Sequence, residues 1–131
     1  MLQRRSFEVW GGDQLRDYTY VDDCINAMRL AAKSNTAVGE IYNLGGCGSP
    51  FSLLETAETL VSAARDIGLT IADPPFVVHE YPSERKKIDI GNYYANDNKI
   101  TTHLGWKAEV PLREGLRRTL SYFSEELEFY A

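Results

Sequence analysis

Hydrophobic residues along the chain repeat with two different periods. Residues 6–10 (SFEVW), 40–44 (EIYNL) and 76–80 (FVVHE) are short segments rich in aromatic and β-branched residues, bounded by glycine or proline. Such segments are typical of strands. Elsewhere apolar residues recur every three or four positions, which predicts amphipathic helices. Strands and helices alternate along the chain, so the sequence predicts an α/β fold that is mainly helical and has three short strands.

End signals delimit four predicted helices. A Ser52–Glu55 capping box marks one start, Gly68 and Gly105 are suited to helix ends, and Pro111 opens the last helix. The predicted helices are residues 21–34, 53–67, a short one between Asn96-Asp97 and Gly105, and a long one from Pro111. On the first helix, the apolar face is expected to comprise Val21, Cys24, Ile25, Met28, Ala31 and Ala32.

Residues 16–23 (RDYTYVDD) form a corner between the first strand's glycine turn and the first helix. Free backbone N–H groups at a helix start receive anions, and the planar guanidinium of Arg16 suits a phosphate. An ion pair between Arg16 and Asp17 that braces the corner is an equally good interpretation.

A second glycine-rich turn, residues 45–50 (GGCGSP), lies between a predicted strand and a capped helix. This order is the outline of a phosphate-binding βα unit. The third glycine of a dinucleotide fingerprint is missing, and no P-loop is present. A structural turn is therefore favoured over a phosphate cradle.

Length and charge restrict the class of protein. The chain has 131 residues, 44% of them hydrophobic and 25% charged, which predicts one soluble globular domain over residues 1–131. A net charge of −5 argues against nucleic acid or an anionic membrane as partner. The start of the chain has no apolar run, so neither a signal peptide nor a membrane anchor is expected. Cys24 and Cys47 lack metal-ligand spacing, which predicts a reduced, cytoplasmic protein without a metal site.

No catalytic set is found in the sequence. Tyr-x-x-x-Lys, Gly-x-Ser-x-Gly and His-Glu-x-x-His are all missing from it, and His79 and His103 belong to no recognisable constellation. Arg16 and Arg85 each lie near an acid and several tyrosines, an arrangement that suits a diphosphate. Asp89 and a tyrosine are candidates for holding sugar hydroxyls, and Trp10 is a candidate for facing a base. We therefore predict a binding site and no catalytic residue.

The chain resembles the extended short-chain dehydrogenase/reductases, the NAD-dependent nucleotide-sugar epimerases and dehydratases. The resemblance rests on residues 16–23 (RDYTYVDD), 39–46 (GEIYNLGG), 52–55 (SLLE) and 85–90 (RKKIDI). Shorter matches complete it at residues 93–95 (YYA), 99–100 (KI), 104–106 (LGW), 114–116 (EGL) and 119–120 (TL). The matches cover nearly the whole chain and follow the family's order.

The resemblance implies that residues 1–131 are the C-terminal, substrate-binding part of such an enzyme, without its Rossmann core. In the complete family enzyme the core would bind NAD(P), so this chain is expected to bind no cofactor. The family places two arginines on the diphosphate, an acid on the ribose, and strand and tyrosine side chains around the same pocket. The implied ligands of a nucleotide diphosphate sugar are Glu8, Trp10, Arg16, Tyr18, Arg85, Asp89 and Tyr93.

Departures from the family pattern limit these expectations. The Gly-rich NAD loop and the Tyr-x-x-x-Lys pair would lie upstream of Met1, so hydride transfer has no machinery in this chain. The turn at residues 11–15 is one residue shorter than the family's, which could displace Arg16, and Asn96 stands where the family often has aspartate. Assembly is the alternative function. The chain would then self-associate, or would complete an enzyme with a separately encoded NAD-binding chain.

Overall fold

The computed structural model describes residues 2–130. Four strands and five helices occur in this part of the chain, which confirms the α/β class. The strands are β1 (Phe7–Trp10), β2 (Leu15–Arg16), β3 (Phe51–Ser52) and β4 (Phe76–His79). The helices are α1 (Val21–Lys33), α2 (Leu53–Asp66), α3 (Ser83–Lys86), α4 (Asn98–Leu104) and α5 (Leu112–Glu125), with 3-10 turns at Asn35–Ala37 and Leu127–Phe129.

The strands form two small pairs. β1 and β4 are parallel, with Phe7 opposite Phe76 and Trp10 opposite His79. β2 and β3 are antiparallel, joined through Leu15 and Arg16. Because β1 and β4 run in the same direction, the chain segments that follow them leave from the same end of the pair. The Arg16 corner and residues 80–93 therefore lie close together at this end.

One hydrophobic core lies between α2 and α5. Ala63 and Ala64 are fully buried there against Leu120, with Leu60 and Leu116 packed around them. Alanines on one helix let the backbone of the other approach closely, so the larger leucines fill the space between them. On α5, Leu112, Leu116 and Leu120 recur at helical spacing and are buried or half-buried.

A second core joins α1 to α4 and to the segment that precedes α5. Trp106 is 1% exposed and packs with Ala27 and Ile100. Its indole N–H donates to the carbonyl oxygen of Asp23 (2.9 Å). The buried Asp23 carboxylate accepts from the backbone N–H groups of residues 109 and 110 (3.2 and 3.0 Å). Hydrogen bonding is what makes a buried carboxylate tolerable, so Asp23 is a structural anchor.

The prediction of a strand at residues 40–44 is wrong. The segment keeps the alternation of a strand, since Tyr42 and Leu44 pack on the second core whereas Ile41 is 83% exposed. Within residues 2–130, however, no strand pairs with its backbone. An extended backbone points successive side chains to opposite sides, which explains the alternation. A β-strand also needs a neighbouring strand for its N–H and C=O groups, and residues 40–44 have none among the described residues.

The apolar face predicted on α1 is largely uncovered in the described part of the chain. Val21, Ile25 and Met28 are exposed, whereas Ala27 and Asp23 are the buried positions. The helix therefore packs with a neighbouring face on the second core and leaves its larger apolar residues outside. We call these exposed residues, together with Val38 and Ile41, the open face.

The predicted helix ends are confirmed. Both hydrogen bonds of the capping box form between Ser52 and Glu55 (2.8 and 3.1 Å). Gly68 and Gly105 adopt positive φ angles of 74° and 66° after α2 and α4. Asp97 is the N-cap residue of α4 but its side chain makes no capping hydrogen bond; the Asn96 side-chain oxygen accepts from the N–H of Asn98 instead (3.0 Å). Within residues 2–130, every helix is too short or too polar to span a bilayer.

Candidate functional site

Arg16 joins the corner to residues 89–91. Its Nη2 lies 3.5 Å from the Asp89 carboxylate, and its Nη1 donates to the carbonyl oxygens of Leu15 (2.8 Å) and Gly91 (2.5 Å). Both charged side chains are mostly buried, at 24% and 18% exposure. The shorter glycine turn therefore does not move Arg16 away from Asp89. The sequence, which separates these two residues by 73 positions, predicted no pair between them.

Asp17 connects two other segments. Its Oδ1 accepts from the N–H of Gly46 (2.6 Å) and its Oδ2 from the N–H of Ala95 (3.1 Å). The ion pair with Arg16, which was one interpretation of the corner, does not form among residues 2–130. The corner is braced, but through separate partners for the two side chains.

The turn at Gly45-Gly46 is filled by the corner. A Cβ added at Gly46 would collide with Asp17 Oδ1 and with the carbonyl oxygen of Tyr18. Glycine is needed there for close approach, as the structural-turn interpretation expects. Since Asp17 already accepts from the Gly46 N–H, that N–H is not free to bind a phosphate, and this turn is a poor phosphate cradle.

A cleft of about 550 Å³ lies between the glycine turn after β1 and the segment after β4. Its size is in the range of small-molecule sites. Of the seven predicted ligands, only Asp89 is among its lining residues. The lining residues are Gly11, Asp13, Gln14, Val78, His79, Glu80, Tyr81, Lys86 and Asp89.

Glu8 and Trp10 lie together on β1, but they face a different cavity of about 340 Å³. The Trp10 N–H donates to Glu8 Oε2 (3.2 Å). The Trp10 ring stacks on His79, with centroids 4.7 Å apart and planes at 25°. His79 is thus the member of this ring pair that lines the cleft. Sequence analysis missed this contact, because it found His79 in no recognisable constellation.

Tyr93 is held beside Arg16 through the backbone. Its N–H donates to the carbonyl oxygen of Leu15 (3.0 Å), and the Leu15 N–H donates to the Asn92 side chain (3.0 Å). The Tyr93 side chain is exposed. Asn92 is a second residue that sequence reasoning missed, and no local pattern marks it, because its contact depends on the docking of a distant segment.

Arg85 and Tyr18 are not brought to the same place. Arg85 is exposed on α3, and its guanidinium makes no hydrogen bond or ion pair with any described residue. Its neighbour Lys86 is the cation that lines the cleft. Tyr18 borders a smaller cavity of about 140 Å³ against α5. The structure thus joins Arg16, Asp89 and Tyr93, and separately Glu8 and Trp10.

Comparison with known proteins identifies the family of this chain. The model of the GDP-mannose 4,6 dehydratase family matches residues 2–119. The chain belongs to the NAD-dependent nucleotide-sugar epimerases and dehydratases. The resemblance seen in the motifs is therefore confirmed for most of the chain.

Two curated relatives show how much of a family member this chain represents. It is 31% identical to a UDP-glucuronate 4-epimerase of Thermodesulfobacterium geofontis, with 98% of this chain and 36% of that protein aligned. It is 34% identical to UDP-glucuronic acid decarboxylase 1 of Xenopus tropicalis, with 99% and 28% aligned. This member of the family thus spans about a third of the length of these relatives.

Solved structures of family enzymes share the fold. A UDP-glucuronic acid 4-epimerase from Bacillus cereus, in complex with UDP-glucuronic acid and NAD, superimposes with a TM-score of 0.74 at 27% identity, over 96% of this chain and 37% of that one. An epimerase from Methanothermobacter thermautotrophicus superimposes with a TM-score of 0.80 at 24% identity, over 98% and 35%. In each case the matching part is about a third of the larger protein.

Proposed function

We propose that this chain binds a nucleotide diphosphate sugar through the Arg16 corner, with Arg16 and Arg85 on the diphosphate and Asp89 on ribose hydroxyls. The family resemblance adds Glu8, Trp10, Tyr18 and Tyr93 as further contacts of this ligand, and of these four Tyr93 is the one that lies beside Arg16. The observation that carries this proposal is the attachment of Asp89 and Tyr93 to Arg16, since it brings charge and hydroxyl-binding groups to one place. Chemistry by the chain alone is not expected, because its sequence has no Tyr-x-x-x-Lys pair.

Arg16 keeps donors that an anion can use. Its Nη1 hydrogens go to two carbonyl oxygens, whereas the contact from Nη2 to Asp89 is long at 3.5 Å. Within residues 2–130, its Nε–H has no hydrogen-bond partner. Phosphate oxygens accept such donors in charge-assisted bonds. The carbonyl contacts would hold the guanidinium in place while the ligand binds, which reduces the entropy cost of binding.

Arg85 would supply the second cation. Its exposed guanidinium has no partner in the described part of the chain, so all of its donors are available. Its backbone is tied to Asp89, whose N–H donates to the Arg85 carbonyl oxygen (3.0 Å). A ligand that bridges Arg16 and Arg85 would therefore meet residues already linked through Asp89.

Thermal unfolding with added nucleotide-sugars tests this proposal. UDP-, dTDP- and GDP-sugars at millimolar concentration should be compared, and at least one should raise the melting temperature, because a ligand that binds only the folded state stabilises it. Arg16→Ala combined with Arg85→Ala should abolish the shift. Arg113→Ala is the matched control, since Arg113 pairs with Asp66 on the α2–α5 side (2.8 Å). A flat response to all three nucleotide classes would contradict the proposal.

Assembly is a second candidate function, and the open face favours it. Ile41 and Met28 are 83% and 67% exposed, and the neighbouring segment 40–44 has unpaired backbone groups within the described structure. Contiguous exposed apolar residues mark interaction surfaces, and an unpaired strand-like segment accepts another strand. The chain would cover this face with a second copy of itself or with a separately encoded NAD-binding chain.

We also propose that the chain is located in the cytoplasm.

Light scattering tests self-association. A chain that pairs through the open face should scatter as a dimer or larger species, and Ile41→Asp should return it to a monomer. Ile88→Asp is the matched control, because Ile88 is equally exposed, at 81%, but lies after α3. A monodisperse monomer for the unmodified chain would contradict self-association and leave the partner chain as the remaining version. Co-purification with a dehydrogenase-like chain would support that version.

A further inference from the structure

We propose that His79, rather than Trp10, is the ring on which the nucleotide base stacks, inside the 550 Å³ cleft. This inference rests on the nucleotide-sugar binding proposed above. It assigns Trp10 and Glu8 as positioning residues that act through His79.

The stacking geometry separates the two rings by role. His79 lines the cleft, whereas Trp10 lines the smaller cavity on the other side. The rings are 4.7 Å apart and nearly parallel, so the indole covers one face of the imidazole. His79 is also among the residues that line the cleft. Histidine is among the side chains that stack on bases.

The Glu8 carboxylate lies close to both the Trp10 and the His79 ring. Its Oε2 accepts the Trp10 N–H (3.2 Å), and its Oε1 lies 3.8 Å from His79 Nε2. Trp10 and His79 are also opposite each other in the β1–β4 ladder. Backbone pairing and ring stacking therefore restrain the imidazole, and a restrained ring loses little entropy when a base stacks on it.

The charges of the cleft favour the nucleoside part of the ligand. Three carboxylates line it, at Asp13, Glu80 and Asp89, against one lysine, Lys86. A doubly charged diphosphate is repelled by such a lining, whereas ribose hydroxyls and base N–H groups can donate to carboxylates. Asp89 is both a lining residue and the partner of Arg16. A nucleoside in the cleft would thus place its diphosphate toward Arg16.

Binding of nucleoside diphosphates to the full chain and its variants tests this assignment, by isothermal titration with UDP, dTDP and GDP. His79→Leu keeps a branched side chain of similar size on the strand but removes the ring. It should weaken binding by roughly tenfold, as the loss of one base-stacking contact does. His79→Phe should restore most of the affinity. His103→Ala is the matched control, because His103 packs against Tyr42 and is not among the residues that line the cleft. This variant should bind as the unmodified chain does. Circular dichroism should confirm that each variant is folded.

The outcomes separate this inference from the proposed function. If the unmodified chain binds and His79→Leu binds equally well, His79 is not the stacking ring and the assignment is overturned, while the proposed function stands. A tenfold loss with Trp10→Ala and no loss with His79→Leu would place the base on Trp10 instead. If the unmodified chain binds none of the three nucleotides, the proposed function fails, and this assignment fails with it.

Discussion

The α2–α5 interface and the open face both contain hydrophobic residues, yet only the first is covered by the described part of the chain. Between α2 and α5, Ala63 and Ala64 are fully buried against Leu120. On the open face, Met28 and Ile41 remain largely in water. The difference teaches that apolar content alone does not close a surface. Each side needs a neighbour of matching shape, and residues 2–130 provide that neighbour only for the first.

The corner at Arg16-Asp17 contacts two distant segments of the chain. Asp17 holds Gly46, at the end of the unpaired segment, and Ala95, at the end of the segment that carries Asp89 and Tyr93. The open face and the candidate site are therefore joined through one carboxylate.

The largest expected difference between the two sides is in core stability. Leu120→Ala should lower the free energy of unfolding by about 2–5 kcal/mol, because it leaves a cavity between α2 and α5. Ile41→Ala should change it by less than about 0.5 kcal/mol in the monomer, since Ile41 is already exposed. Urea unfolding measures both. Equal losses for the two variants would contradict the contrast between a closed and an open side.

The corner should show an intermediate effect. Gly46→Ala should cost about 1–3 kcal/mol of unfolding free energy, as overpacking typically does, because the new methyl group would meet Asp17 and the Tyr18 carbonyl. Asp17→Ala should also destabilise, by leaving the N–H groups of Gly46 and Ala95 without their acceptor.

A double-mutant cycle provides the control for the corner. Removing Asp17 also removes one of the groups that an alanine at position 46 would meet, so the two changes together should cost less than the sum of their separate effects. Strict additivity would show that Asp17 and Gly46 do not act together.

The smallest expected effect is a loss of fold stability at acid pH through Glu114, which lies on helix α5. Hydrogen bonds from Arg117 and Arg118 hold the pKa of Glu114 at about 2, below its ordinary value of 4.5. A carboxyl group with a lowered folded-state pKa stabilises the fold above the ordinary value, and this contribution is lost as pH falls from about 4.5 toward 2.

Glu114→Gln should remove this contribution. The difference in melting temperature between the unmodified chain and the variant should shrink as pH falls through that window. Because the site is exposed, the difference should also shrink in high salt. The lowered pKa predicts that the difference changes between about pH 5 and pH 2.5. A constant difference over this range would show that the charge of Glu114 does not contribute.

Features encoded within a few neighbouring residues could be predicted from the sequence. The Ser52–Glu55 capping box, the glycines at 68 and 105, and the segments of β1 and β4 are of this kind, and the structure confirms them. Their signals are local hydrogen bonds and backbone conformations, which depend little on distant parts of the chain.

Features that depend on distant partners could not be predicted from spacing. The strand expected at residues 40–44 has no partner in the described structure, and the two-residue strands β2 and β3 were missed because only their mutual pairing defines them. The contact between Arg16 and Asp89 joins residues 73 positions apart. Family motifs indicated that both residues belong to one site, but not that Arg16 also holds the loop that carries Asp89.

Hydrogen–deuterium exchange with and without a nucleotide-sugar tests the central claim most directly. The unmodified chain should be compared with and without the UDP-, dTDP- or GDP-sugar that stabilises it most. We expect slower exchange in residues 11–17 and 79–95, which surround the cleft and the Arg16 corner, and unchanged exchange in residues 38–44 of the open face. Protection confined to residues 21–44, or no protection anywhere at saturating ligand, would contradict the assignment of this corner as a nucleotide-sugar site.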